Sequence, residues 1–65
     1  MSYEEETLRE LIKFYKKEFD KLHERLVKAI KRKDPIMSKI TQKMMDTNKE
    51  IKKLQNELKR FDTED

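Results

Sequence analysis

His23 is the single histidine of the chain, and an imidazole is the side chain best placed to bind a metal or move a proton near neutral pH. A helical zinc site needs a second histidine four residues on, and Val27 stands there instead. His23 therefore reads as a structural or solvated residue beside an apolar seam. Ser2 and Ser38 are the only serines. A serine nucleophile needs an adjacent base and a pocket of oxyanion donors, which straight helices do not supply. With no cysteine there is neither a thiolate metal site nor a disulfide framework. No catalytic, metal or cofactor-binding residue is assigned, and no cofactor is expected.

Two rows of side chains remain that suit binding rather than reaction. Arg9, Lys13, Lys17, Lys21 and Arg25 recur every four residues and are continued by Lys28, Arg32 and Lys33. Such a row can meet an acidic protein surface or phosphates, or it can be a solvated face balanced by Glu18, Asp20 and Glu24. No aromatic residues interleave with it to stack bases, which weighs against nucleic acid and in favour of an acidic protein partner. The second row is Thr41, Asn48 and Gln55, at heptad spacing beside Met45. An uncharged row in a chain that is 48% charged suits a contact face.

The elements that carry these rows follow from apolar periodicity. Leu8, Ile12, Tyr15, Phe19, Leu22, Leu26 and Ala29 are separated by alternating steps of four and three, the 3.5-residue period of a coiled-coil seam. Met37, Ile40, Met44, Thr47, Ile51, Leu54, Leu58 and Phe61 continue the period in a second segment, with Thr47 its one polar member. The phase shifts by four residues between the two segments. Folding the chain back pairs Ala29 with Met37, Leu26 with Ile40, Leu22 with Met44 and Phe19 with Thr47. Tyr15 then meets Ile51, Ile12 meets Leu54 and Leu8 meets Leu58.

Local chemistry puts the turn in Lys31-Arg32-Lys33-Asp34-Pro35. Asp34 is a preferred N-cap, and Pro35 at the first helical position loses nothing by lacking an N–H. Within one continuous helix that proline would cost ~3 kcal/mol. Lys31, Arg32 and Lys33 suit the negative end of the first helix. Ser2 with Glu5 has the form of a capping box. The sequence predicts a first helix over about 3–32, a turn at about 33–34, a second helix over about 35–61 and an acidic frayed tail at 62–65. The fold class is all-α, a two-helix antiparallel coiled-coil hairpin in one domain spanning residues 1–65.

Composition sets the outer bounds. The absence of glycine disfavours tight β-hairpins, and no apolar run approaches the roughly 18 residues of a membrane span. The acidic start at Glu4-Glu5-Glu6 is unlike a signal peptide, and a soluble, cytoplasmic protein is expected. Net charge is +3, but nine basic and three acidic residues fall within 13–33, while 62–65 carry three acids. Two helices burying one stripe each gain little beyond the cost of ordering them. Leu11 with Phe14, and Val27 with Ile30 and Ile36, lie outside that stripe. Dimerisation into a four-helix bundle is the expected outcome.

The stretch Asp34-Pro35-Ile36-Met37-Ser38-Lys39-Ile40-Thr41-Gln42-Lys43-Met44-Met45-Asp46 resembles the second-helix motif of the short sporulation-type aspartyl-phosphate phosphatases. In that family Asp-Pro precedes an aliphatic seam and Ser-Gln-x-Leu-Asp, on a helical hairpin that docks on response regulators. Thr41 and Gln42 match Ser-Gln, and Met44 matches the leucine. Met45 takes the position of the aspartate, and Asp46 follows one residue later. The resemblance implies a response-regulator antagonist or a binding relative using Thr41 and Gln42. The sequence as a whole points to a small non-enzymatic interaction module, a regulator, adaptor or assembly factor, with that antagonist and a nucleic-acid binder as alternatives.

Overall fold

The computed structural model describes residues 2–62. Two helices, α1 (Tyr3–Arg32) and α2 (Met37–Asp62), fold back on one another into an all-α hairpin. The rod measures 51 × 14 × 12 Å between Cα atoms, close to the ~45 Å that 30 residues span at 1.5 Å each. Of the acidic tail expected at 62–65, Asp62 instead closes α2, and residues 63–65 lie outside the described residues.

Packing between the helices follows the two seams. Ile12, Leu22, Ala29, Ile40, Ile51 and Leu54 are buried. Leu8, Tyr15, Phe19, Leu26, Met37, Met44, Leu58 and Phe61 are half-buried. At the turn end Leu22, Ala29 and Ile40 form one cluster, covered by Leu26, Met37 and Met44. Those six are the members of the Ala29/Met37, Leu26/Ile40 and Leu22/Met44 layers. Thr47, the polar member of the seam, is half-buried, and its Oγ1 donates to the Lys43 carbonyl at 2.8 Å. The hydroxyl is thereby satisfied without a partner across the seam. Among the described residues no side chain falls below 2% exposure. One layer of contact cannot close over itself.

The ends of α1 are built differently from each other. Ser2 is extended (φ −78°, ψ 159°), and its Oγ accepts from the Glu5 N–H at 3.1 Å. The Glu5 carboxylate, which a capping box would return to Ser2, lies 3.7 Å from Arg9 Nη2 instead. At the C-terminus Lys33 takes left-handed angles (φ 54°, ψ 41°). Its N–H donates to Ile30 O at 3.1 Å, and the Asp34 N–H donates to Ala29 O at 2.9 Å. This pair of bonds is the Schellman arrangement, in which glycine normally takes the left-handed residue.

The second helix opens two residues later than the expected Pro35. Asp34 does act as a cap, since its Oδ1 accepts from the Ile36 N–H at 3.0 Å. Its carbonyl, however, accepts from Met37 N–H at 3.2 Å, three residues on, so the first turn is tight. The i to i+4 ladder begins only with Ile40 N–H donating to Ile36 O at 3.1 Å. Proline contributes no donor to that first turn, so its presence there breaks no bond.

Two expected outcomes follow from these contacts. A left-handed lysine costs about 1 kcal/mol that glycine does not pay. Lys33→Gly is expected to raise the thermal midpoint by several degrees, read by circular dichroism; an unchanged or lower midpoint contradicts that account of the turn. Leu54→Ala, at a site only 6% exposed, is expected to cost about 2–4 kcal/mol. Thr41→Ala on the exposed side is expected to stay within about 0.5 kcal/mol. Equal effects of the two would contradict the seam.

Candidate functional site

The residues assigned to the seam are the scaffold, and those assigned to partner binding are all exposed. The basic row does not form one face. At 3.6 residues per turn each step of four advances about 40°, so Arg9 and Arg25 end up about 160° apart. The grooves on the two flanks of the hairpin show the same divergence. Arg9 and Lys13 line one groove together with Lys16 and Gln55. Arg25 lines another, with Phe14, Glu18, Lys43 and Asp46. The row therefore winds across the outside of α1 from one flank to the other.

Three of the five cations in the row have carboxylates beside them. Arg9 Nη2 is 3.7 Å from Glu5, Lys13 Nζ is 3.8 Å from Glu10, and Lys21 Nζ is 3.7 Å from Glu18. All are pairs one helical turn apart on the surface, a geometry worth a few tenths of a kcal/mol. They moderate the row's field without fixing it in place. Lys17 and Arg25 complete the row on the exposed side of α1.

On α2, the Thr41 hydroxyl donates to its own helix, to Met37 O at 2.9 Å. Gln42 Nε2 donates to Asp46 Oδ1 at 3.1 Å. An amide and a carboxylate thus stand together on the surface, one turn apart. Met45 is 52% exposed, and Asn48 and Gln55 are exposed. Gln55 shares the groove of Arg9, Lys13 and Lys16. The neutral residue of α2 and the early cations of α1 therefore lie on one flank, and Arg25 on the other.

The apolar residues outside the seam form separate patches. Leu11 and Phe14 line a groove with Tyr3, Thr7 and Glu10 on α1. Phe14 packs edge-to-face on Tyr15, with ring centroids 5.4 Å apart and planes at 75°. Because Tyr15 is half-buried in the seam, the exposed patch is continuous with the packed interior. Glu4 and Thr7 extend the same flank past Leu8 to Phe61. Counting apolar residues finds Leu11 and Phe14 in the sequence. It misses Thr7 and Glu18, each four residues from one of those two, and Glu4, three residues before Thr7. His23 is exposed, and no cluster of three histidine or carboxylate side chains is placed to hold a metal among the described residues. No helix there is long and apolar enough to cross a membrane.

Comparison with protein-family models, curated proteins and solved structures finds no match for this chain.

Proposed function

We propose that this chain is a small protein–protein interaction module, a regulator, adaptor or assembly factor with no chemistry of its own, working as a self-associating helical hairpin. The observation that carries this reading is where apolar surface is left uncovered. Tyr3, Phe14, Ile30 and Met45 are 83%, 56%, 54% and 52% exposed, while the buried core among the described residues is Ile12, Leu22, Ala29, Ile40, Ile51 and Leu54. A two-helix layer of this size gains further burial most directly by association. Homodimerisation into a four-helix bundle supplies it, and the outward cations of α1 suit an acidic protein partner thereafter.

A second reading, an antagonist of response regulators, draws support from the exposed Gln42–Asp46 pair beside Thr41. It predicts faster loss of an acyl phosphate from a regulator, weakened by Gln42→Ala. No acceleration across several regulators would remove it.

Self-association is tested by sedimentation equilibrium together with thermal melts at two concentrations tenfold apart. The expected result is a dimer mass and a midpoint that rises with concentration, because mass action stabilises whatever only the folded state binds. A monomer mass with a concentration-independent midpoint contradicts it.

A further inference from the structure

We infer that the outer stripe of α1 made by Glu4, Thr7, Leu11, Phe14, Glu18 and Lys21 is the docking surface for a second copy of this chain, antiparallel and related by a twofold axis passing between residues 12 and 13. The inference rests on the self-association proposed above and assigns it to one surface.

Spacing is the first argument. The six residues are separated by steps of three, four, three, four and three, the period of a second coiled-coil seam on the same helix. The grooves that the first five line place them on a shared flank, and Lys21 follows Glu18 by one step of the same period. Glu4 and Thr7 line one, Thr7, Leu11 and Phe14 the next, and Phe14 and Glu18 the one beyond. The apolar members sit at the centre, 38% and 56% exposed. The Phe14 ring is already braced against Tyr15, so little order is lost on docking.

Charge complementarity identifies the occupant. Antiparallel packing about that axis sets Leu11 on the partner's Phe14, Glu4 on the partner's Lys21 and Thr7 on the partner's Glu18. Flanking positions bring Glu10 beside the partner's Lys17 and Leu8 beside the partner's Tyr15. The twofold repeats every one of these contacts. A parallel pairing in register would instead set Glu4 on Glu4, Glu18 on Glu18 and Lys21 on Lys21, which repel. Lys21 is available for exchange, since its pair with Glu18 leaves its side chain 73% exposed. The overlap covers residues 4–21, roughly 27 Å of helix.

The other apolar patch does not fit a second copy. Val27, Ile30 and Ile36 lie at the turn end among Lys28, Lys31, Arg32 and Lys33. Stacking that patch on itself would place cations on cations.

The test uses the full chain, which has no cysteine of its own. Thr7→Cys and Glu18→Cys proteins are mixed in equal amounts and oxidised gently. The mixed disulfide between positions 7 and 18 is expected to exceed its statistical share over both homodisulfides. In parallel, Glu4→Lys is expected to weaken self-association about tenfold, and Glu4→Lys combined with Lys21→Glu to restore it. Such rescue does not follow from a merely structural role. A mixed disulfide at or below its statistical share, or a Glu4→Lys chain that dimerises like the parent, overturns this surface. In either case the parent's dimer mass would still uphold self-association. A monomeric parent removes both.

Discussion

The single apolar seam between α1 and α2 is the contact on which every other feature depends. It is one layer deep, and among the described residues six hydrophobic side chains are buried in it. Its narrowness sets the rod shape, leaves the remaining faces to charged side chains, and leaves a few apolar groups with nothing to cover them. The seam also orients what lies outside it, because once Leu8 to Ala29 face inward each other residue of α1 has a fixed side.

The turn shows how strongly that seam acts. Lys33 adopts a left-handed backbone although lysine has no preference for it. Two Schellman hydrogen bonds, the Asp34 cap and the fixed φ of Pro35 surround it, and together they hold it there. The packing of Ala29 against Ile40 and Met37 requires the chain to reverse within a few residues of this point. Local strain at one residue is the consequence of bringing two long helices into register.

The hairpin itself was legible in the sequence because a 3.5-residue period, interrupted by a four-residue phase shift at Asp-Pro, admits few other arrangements. The residues expected in the seam occupy the interface, Thr47 among them. The left-handed Lys33 was not legible, because neither glycine nor asparagine stands there to announce it. The opening of α2 at Met37 rather than Pro35 reflects a tight first turn that composition does not encode. For the candidate binding surface, exposure was legible and grouping was not. Residues four apart look like one face when written as a row, yet they drift about 40° per step around a real helix. The acid and base that flank Leu11 and Phe14 escape attention when only apolar positions are counted.

One stripe of α1 packs on the chain's own second helix, and another is proposed to meet a second copy of the chain. Side-chain NMR spectra recorded over a dilution series test that division most directly. The Leu11 methyl and Phe14 ring signals are predicted to move with concentration, while the Ile51 and Leu54 methyls, buried between α1 and α2, stay in place until the chain unfolds. Signals that move first at Met45 and Val27, or that are all independent of concentration, would contradict it.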